Sequence, residues 1–167
     1  MSLREINIEE LSFNPFTKVG KDWILIAAGD EAKHNMMTAS FGGFGILWMQ
    51  NVSFIFVREQ RYTYEFIENN DHYCLCFFDE DYREALRFCG VNSGRDFDKV
   101  KETGLTPNYN GKAPYFEEAS LVLVCRKLYR QDMTEDSFVD KQSLERVYPA
   151  RDFHRTYVGA IEKVLVK

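Results

Sequence analysis

The sequence predicts a mainly β protein, a small antiparallel barrel with several short helices. About six strand-like segments follow one another without the regular alternation of strand and helix that a parallel sheet requires. Aromatic residues make up 15% of the 167 residues, a content that either a β-rich core or a planar ligand would explain. No linker, repeat or low-complexity tract divides the chain, so we expect a single domain over residues 1–167.

Strands are predicted where β-branched, aromatic and other apolar residues alternate or run unbroken between turn residues. The longest apolar run, residues 23–28, is followed by a Gly29-Asp30 turn and is far shorter than the about 18 residues that a membrane span needs. The glycine-rich residues 42–45 are unsuited to a stiff helix. In chain order, the predicted strands cover residues 18–29, 34–41, 51–57, 73–78, 119–128 and 156–166.

Short helices are predicted between these strands from helical spacing and capping residues. Thr63 is a good N-cap for the first helix, and Gly90 is a plausible C-cap for the second. A capping-box pattern at Ser93 opens the third helix, which Gly104 stops. The acidic residues 133–140 are expected to form a solvated loop. In chain order, the predicted helices cover residues 64–69, 79–88 and 93–102.

Charge and cysteine content limit the function classes. The net charge of −5 disfavours a broad nucleic-acid face, because a phosphate backbone needs a basic stripe, but it leaves room for one small anion pocket. The N-terminus shows no signal-peptide pattern, and no zinc spacing occurs among the histidines. We therefore expect a cytoplasmic protein without a metal site, a membrane segment or a nucleic-acid partner. Four buried, free thiols are expected at Cys74, Cys76, Cys89 and Cys125.

The most informative stretch is residues 58–64, Arg-Glu-Gln-Arg-Tyr-Thr-Tyr, between a strand end and a helix start. The unpaired amides of a helix N-terminus and the guanidinium groups of Arg58 and Arg61 together would make an anion site. The alternative is a pair of surface arginines neutralised by nearby glutamates. A second glycine turn at Ser93, Gly94 and Arg95 would offer a similar set of donors to an anion. Gly94 permits a positive φ and a close backbone approach there.

Three further residues have both a functional and a structural interpretation. Thr38 and Ser40 share one face of a predicted strand, where they would hydrogen-bond the polar edge of a flat heterocycle or be satisfied by neighbouring backbone. His154 would titrate near neutrality in a site, or be a plain surface histidine. Spacing alone identifies no Ser/His/Asp or Cys/His pairing.

Seven segments in register resemble the flavin reductase-like FMN-binding split-barrel family, in its flavoredoxin-like branch, over about residues 15–165. They are Asn-Met-Met-Thr-Ala-Ser-Phe-Gly at 35–42, Val-Arg-Glu-Gln-Arg-Tyr-Thr-Tyr-Glu-Phe-Ile at 57–67, Phe-Cys-Gly at 88–90, Ser-Gly-Arg-Asp at 93–96, Asp-Lys at 98–99, Glu-Thr-Gly-Leu-Thr-Pro at 102–107 and His-Arg-Thr-Tyr-Val-Gly at 154–159.

The resemblance implies an antiparallel Greek-key split β-barrel with short peripheral helices, working as a homodimer with FMN near the subunit interface. By position, it assigns the FMN phosphate to Arg58, Arg61 and Thr63, with Tyr62, Ser93, Gly94 and Arg95 also binding or approaching the cofactor. It assigns the flavin ring to Asn35, Met37, Thr38, Ala39 and Ser40, and it places His154 as the catalytic residue near the flavin or the nicotinamide.

Three positions depart from the family pattern. Phe41 stands where relatives often have Trp, Glu59 replaces a common Pro or Gly, and Ala160 stands where many relatives have Glu. The implied reaction passes hydride from NAD(P)H to flavin and electrons on to free flavin, ferric iron or a redox protein. The sequence leaves three alternatives open: an FMN-carrying electron-transfer module reduced by a partner protein, a member without turnover, and an oxidase of the pyridoxamine-phosphate oxidase type.

Overall fold

The computed structural model describes residues 2–167, which form an antiparallel sheet of eight strands and a separate two-stranded ribbon. The strands are β1 (Arg4–Ile6), β2 (Ile24–Gly29), β3 (His34–Ala39), β4 (Gly43–Leu47), β5 (Gln50–Arg58), β6 (His72–Phe77), β7 (Pro107–Asn108), β8 (Tyr115–Phe116), β9 (Leu121–Asp132) and β10 (His154–Val166). The α-helices are α1 (Pro15–Gly20), α2 (Tyr62–Asn69), α3 (Arg83–Val91), α4 (Lys99–Thr103) and α5 (Lys141–Val147).

The strands of the large sheet are ordered β3-β2-β6-β9-β10-β5-β4, and β1 adds to β10. Every pairing is antiparallel. Across residues 2–167, β3 and β4 are not hydrogen-bonded to each other, so the sheet curls without closing. The mainly β, antiparallel split-barrel class with short peripheral helices is therefore confirmed. None of the helices described is long and apolar enough to cross a membrane.

Alternation along the central strands builds a hydrophobic core on each face of the sheet. In β2, Ile26 belongs to the cluster inside the barrel, whereas its neighbour Leu25 belongs to the cluster beneath α3. A strand buried on both faces reads as an unbroken apolar run, which is why residues 23–28 carry no polar position. The cysteines follow the same rule: all four are buried, free thiols, and burial raises the pKa of Cys76 to about 12.

Several predicted boundaries are wrong for local reasons. Residues 18–20 lie in α1 rather than in a strand, because the Asn14 side chain caps a helix that begins at Pro15. The glycine-rich segment after β3 becomes β4 by pairing with β5. The short strands β1, β7 and β8 and the helix α5 were not predicted, and β10 begins at His154 rather than at residue 156.

Most of the predicted helix caps also differ from the observed ones. Arg61, not Thr63, is the N-cap of α2, and it makes no side-chain capping hydrogen bond. Helix α3 continues through Gly90 to Val91, and α4 is capped by Asp98 instead of by a capping box at Ser93. The prediction that Gly104 stops α4 is confirmed, since Gly104 adopts a left-handed conformation with φ of 69°.

Candidate functional site

A polar cavity of 160 Å³ lies where the beginning of α2, the end of α3 and the beginning of α4 meet beside β3. Sequence positions about 35, 60 and 95 thus converge through tertiary contacts. The lining residues are Asn35, Gln60, Arg61, Tyr62, Thr63, Val91, Asn92, Ser93, Gly94 and Lys99.

Arg61 contributes one of two cations to this cavity. Its Nη1 atom donates a hydrogen bond of 2.8 Å to the carbonyl oxygen of Gly90 in the last turn of α3. Within residues 2–167 no carboxylate forms an ion pair with Arg61, and burial lowers the pKa of its guanidinium. The remaining N–H groups of the fork are available to an anion in the cavity.

Lys99 contributes the second cation and is only 4% exposed. Its Nζ atom donates to the carbonyl oxygens of Met36 at 2.8 Å and Cys89 at 3.0 Å, which engages two of the three ammonium protons. Burial, with the charge of Arg61, lowers the pKa of Lys99 to about 8. No described carboxylate forms an ion pair with Lys99 either, so two cations share one cavity without a protein counter-charge.

The beginning of α2 adds neutral donors. The amides of Tyr62 and Thr63 lie in the first turn, where a helix offers no intrahelical acceptor. The Thr63 hydroxyl is buried and accepts a 2.9 Å hydrogen bond from Nδ2 of Asn35, so its own proton remains free to donate. Asn35 and Thr63, which are 28 positions apart, therefore form one wall of the cavity.

Gly94 allows the loop after α3 to approach this wall. A Cβ atom on Gly94 would overlap the side-chain amide of Asn35. Gly94 does not use the positive φ that glycine permits, because only Gly29, Gly42 and Gly104 among the described glycines have one. The close backbone approach is the reason for glycine at this position.

Arg95 closes the outer side of the same wall without lining the cavity. Its guanidinium lies 4.5 Å from the ring centre of Tyr62, donates to the carbonyl oxygen of Gln60 at 3.2 Å, and forms an ion pair with Glu65. Its amide donates to Oγ of Ser93 at 3.2 Å. Arg95 thereby fastens the loop after α3 to the first turn of α2.

The β3 residues assigned to a flavin ring divide by face. Met37 and Ala39 are buried in the barrel core, so their side chains are committed to packing. Thr38 faces α3 and donates a 2.5 Å hydrogen bond to the carbonyl oxygen of Leu86. Ser40 is exposed just beyond the strand end, and β3 is an edge strand whose outer backbone groups lack a strand partner among the described residues.

Arg58 lies outside this cavity, in a second cluster with Asp152, Tyr148 and His154. It lies opposite His154 in the β5–β10 register, and its Nη1 atom forms a 2.6 Å ion pair with Asp152. Its Nη2 atom donates to the carbonyl oxygen of Val147 at 3.2 Å. The structure therefore does not bring Arg58 to the cavity of Arg61, although a hydrogen-bonded turn joins the two residues.

His154 is a buried member of this second cluster. It is 8% exposed, its Nδ1 atom lies 2.6 Å from the Tyr148 hydroxyl, and its ring meets that of Phe41 edge-on at 5.2 Å. Burial, with the charge of Arg58, lowers the pKa of His154 to about 4. The expectation of titration near neutrality is wrong, and so is the alternative of a surface histidine.

The remaining departures from the family pattern lie outside the cavity. Glu59 is exposed, and Ala160 is buried in β10 opposite Val52 of β5. Lys99 is the residue that the sequence analysis missed. Its Asp-Lys pair was one of the matching segments, but a lysine in a sequence gives no sign of burial.

Comparisons with known proteins agree with this architecture. A family model described as flavin reductase like domain matches residues 18–167. Flavoredoxin of Desulfovibrio vulgaris (Miyazaki F) has 20% identity and a TM-score of 0.66, covering 87% of this chain and 69% of its own. Flavoredoxin from Methanosarcina acetivorans has 20% identity and a TM-score of 0.67, covering 98% and 76%.

A third solved structure, the FMN-binding domain of a flavin reductases-like enzyme from Shewanella baltica OS155, has 12% identity and a TM-score of 0.70, covering 98% of this chain and 76% of its own. At such identities the likeness concerns the fold. A search of curated proteins gave no match. The family match spans most of the chain, including every segment that lines the cavity. The chain therefore belongs to the flavin reductase like domain family.

Proposed function

We propose that this protein is an FMN-binding flavoprotein that holds the flavin phosphate in the cavity between α2, α3 and α4. The observation that carries the proposal is that Arg61 and Lys99 line one cavity and that, among residues 2–167, no carboxylate is paired to either. Cations that leave water without a counter-charge destabilise a fold, and a phosphate dianion would offset that penalty. The solved relatives described as FMN-binding support FMN as the ligand.

The donor set fits a phosphate monoester. A guanidinium fork, an ammonium group, the first amides of α2 and the Thr63 and Ser93 hydroxyls are hydrogen-bond donors of the kind that phosphate oxygens accept. The cavity of 160 Å³ is smaller than the about 300–1,000 Å³ of pockets that enclose a whole ligand. It suits the phosphate end alone, and the resemblance leaves the ring to residues 35–40.

This proposal revises the assignment of Arg58. Its guanidinium is engaged by Asp152 and by the Val147 carbonyl, so the phosphate is given to Arg61, Lys99 and the loop at Ser93. Arg58 instead adds positive charge beside His154.

The reaction we propose is NAD(P)H-dependent reduction of flavin, with electrons passed on to free flavin, ferric iron or a redox protein. When bound, the flavin ring accepts hydride and supplies the redox chemistry. The protein positions it: the phosphate end is fixed by the cavity, and Ser40, Phe41 and His154 form a surface at the end of β3. His154 is neutral above about pH 5, so it would act there as a hydrogen-bonding group.

Two measurements test this function. The purified protein should carry FMN, identified by chromatography after release. Anaerobic stopped-flow mixing with NADH or NADPH should then bleach the flavin absorbance rapidly. Bound FMN that is reduced by neither nucleotide would instead support an electron-transfer module served by a partner protein. A protein with no affinity for FMN would overturn the proposal.

We also propose that the protein is a homodimer formed around the β4–β5 hairpin. Trp48 and Met49 at its turn are 55% and 97% exposed, and both adopt a positive φ, which is uncommon for bulky residues. Ile46 on β4, an edge strand, is exposed beside them. A second copy of this chain would cover these side chains, and the family resemblance implies a homodimer.

A further inference from the structure

Tyr148 makes the shortest polar contact of His154. Its hydroxyl oxygen lies 2.6 Å from Nδ1 of the histidine, and both side chains are buried. The phenol ring packs in one aromatic cluster with Phe138 and Phe153, at centroid distances of 5.5 Å and 5.1 Å. The contact is therefore between two groups with little freedom to turn away from each other.

The phenol has one proton and two acceptors within reach. One is Nδ1 of His154, and the other is the thioether sulfur of Met133 at 3.4 Å. An imidazole nitrogen is a far stronger acceptor than a thioether, so the phenol donates its proton to Nδ1 of His154. A neutral imidazole that accepts at Nδ1 must carry its single proton on Nε2.

Nε2 is the accessible edge of this ring. No described residue forms a hydrogen bond with Nε2, and the described part of the chain contains no fully buried side-chain nitrogen or oxygen without a partner. Nε2 must therefore account for part of the 8% of His154 that is exposed. The ring of Phe41, itself 46% exposed, meets the His154 ring edge-on, with 5.2 Å between the two ring centres.

We propose that Tyr148 is a positioning residue that fixes His154 in the Nε2–H tautomer, so that the histidine presents a neutral hydrogen-bond donor at the surface beside Phe41. The role of this donor in hydride transfer rests on the function proposed above. There it would donate to an electron-rich oxygen of the flavin or of the nicotinamide carboxamide. The tautomer itself does not depend on any ligand.

Long-range ¹H–¹⁵N correlation spectra of the flavin-free protein at pH 7 test the tautomer directly. The signals of His154 are identified by their loss in His154→Gln. We expect a pyridine-type Nδ1 signal and a pyrrole-type Nε2 signal. A pyrrole-type Nδ1 in the unmodified protein would overturn the proposal, and that outcome requires no variant of Tyr148.

Tyr148→Phe removes only the hydroxyl and keeps the ring that packs against Phe138 and Phe153. The two nitrogen signals of His154 should move toward each other as the tautomers mix, by a change in ratio of about 2- to 10-fold, the range of one neutral hydrogen bond. Met133→Leu is the matched control, because it removes the competing acceptor and should leave the tautomer unchanged. Unchanged His154 signals in Tyr148→Phe would refute the positioning role.

Stopped-flow reduction of the FMN-loaded protein supplies the functional readout. Tyr148→Phe should slow flavin bleaching by about 2- to 10-fold without changing FMN affinity. If the unmodified protein shows no reduction by either nucleotide, the proposed reaction fails while the spectra still decide the tautomer. If reduction is rapid and equal in both proteins, the catalytic role of the tautomer is wrong.

Discussion

Arg61 and Lys99 are held by consecutive carbonyl groups at the end of one helix: Arg61 donates to Gly90 and Lys99 to Cys89, both in the last turn of α3. The carbonyl end of a helix carries partial negative charge, which stabilises cations there. The amides at the beginning of α2, with partial positive charge, line the same cavity. The site therefore combines two helix ends of opposite polarity, and its full charges, those of Arg61 and Lys99, are both positive.

Replacing Lys99 with Met should weaken FMN binding by about 10- to 100-fold, because one charge-assisted hydrogen bond contributes about 1.5–3 kcal/mol. Riboflavin has the same ring without the phosphate, so its affinity should barely change. Fluorescence titration with both ligands measures the contrast. Arg87→Met, on the exposed face of α3, is the matched control and should bind FMN normally. An equal loss for both ligands would indicate a folding defect instead of a phosphate contact.

FMN affinity should have an optimum between about pH 6 and pH 8. Below about pH 6 the phosphate takes up a proton and loses its second charge. Above pH 8 the Lys99 ammonium, whose pKa burial lowers to about 8, loses its proton in the ligand-free protein. The dissociation constant should therefore rise above pH 8, by at most about tenfold per pH unit. Isothermal titration across pH 5–10 checks this, and Lys99→Met should lack the alkaline limb.

The sequence predicted the parts of this site that local chemistry determines. An arginine-rich turn that opens a helix after a strand is visible within the seven residues 58–64, and so is a glycine turn at Gly94. Strand and helix types were predictable for the same reason, since β-branched runs and spaced apolar residues are local patterns. The boundaries failed where a cap decided them, as at Asn14 and Asp98.

Most of what could not be predicted depends on contacts between distant segments. Lys99 is buried because its ammonium reaches the carbonyl of Met36, 63 positions earlier. The separation of Arg58 from Arg61 depends on Asp152, which lies 94 positions after Arg58. His154 is buried by the residues around Tyr148, which follow a helix that the sequence analysis did not identify. No short window of the sequence contains the first two pairings, and the third joins residues only six positions apart whose packing follows an unpredicted helix.

His154 should make the unfolding free energy depend on pH. Its folded pKa of about 4 lies below the ordinary value of 6.5, so the unfolded state binds the proton more readily. The contribution is complete above pH 6.5 and is lost as the pH falls from 6.5 toward 4, by at most about 3 kcal/mol. Urea unfolding at several pH values measures the slope. His154→Gln cannot titrate and should flatten it, and equal slopes for both proteins would contradict the assignment.

Trp48→Glu should convert the proposed dimer to a monomer, because it places a charge among the exposed apolar residues of the β4–β5 hairpin. Sedimentation velocity at micromolar concentration distinguishes a dimer of two 19.6 kDa chains from a single chain. Val139→Glu, at another exposed apolar position, is the control and should remain dimeric. A monomeric unmodified protein with FMN bound would refute the homodimer.

Gly94→Ala should impair FMN binding more than it impairs folding. The new Cβ atom would overlap the Asn35 amide and push the loop at Ser93 away from the cavity wall. Gly20→Ala serves as the control, because a Cβ atom there meets nothing within 4 Å. Thermal unfolding with and without FMN separates the effects: Gly94→Ala should lose most of the stabilisation that FMN gives, and Gly20→Ala should keep it. A normal FMN-dependent shift in Gly94→Ala would count against the cavity as the binding site.

The two positive charges of Arg61 and Lys99 should affect how much of the protein a cell contains. A ligand that binds only the folded state raises stability by about 2.7 kcal/mol when its concentration is one hundred times the dissociation constant. Chains made when flavin is scarce would lack the phosphate that offsets the repulsion between the two cations. Their folded state would be less stable, so they would unfold and be degraded by proteases more often. The amount of this protein should therefore follow the supply of its cofactor, even at a constant rate of synthesis.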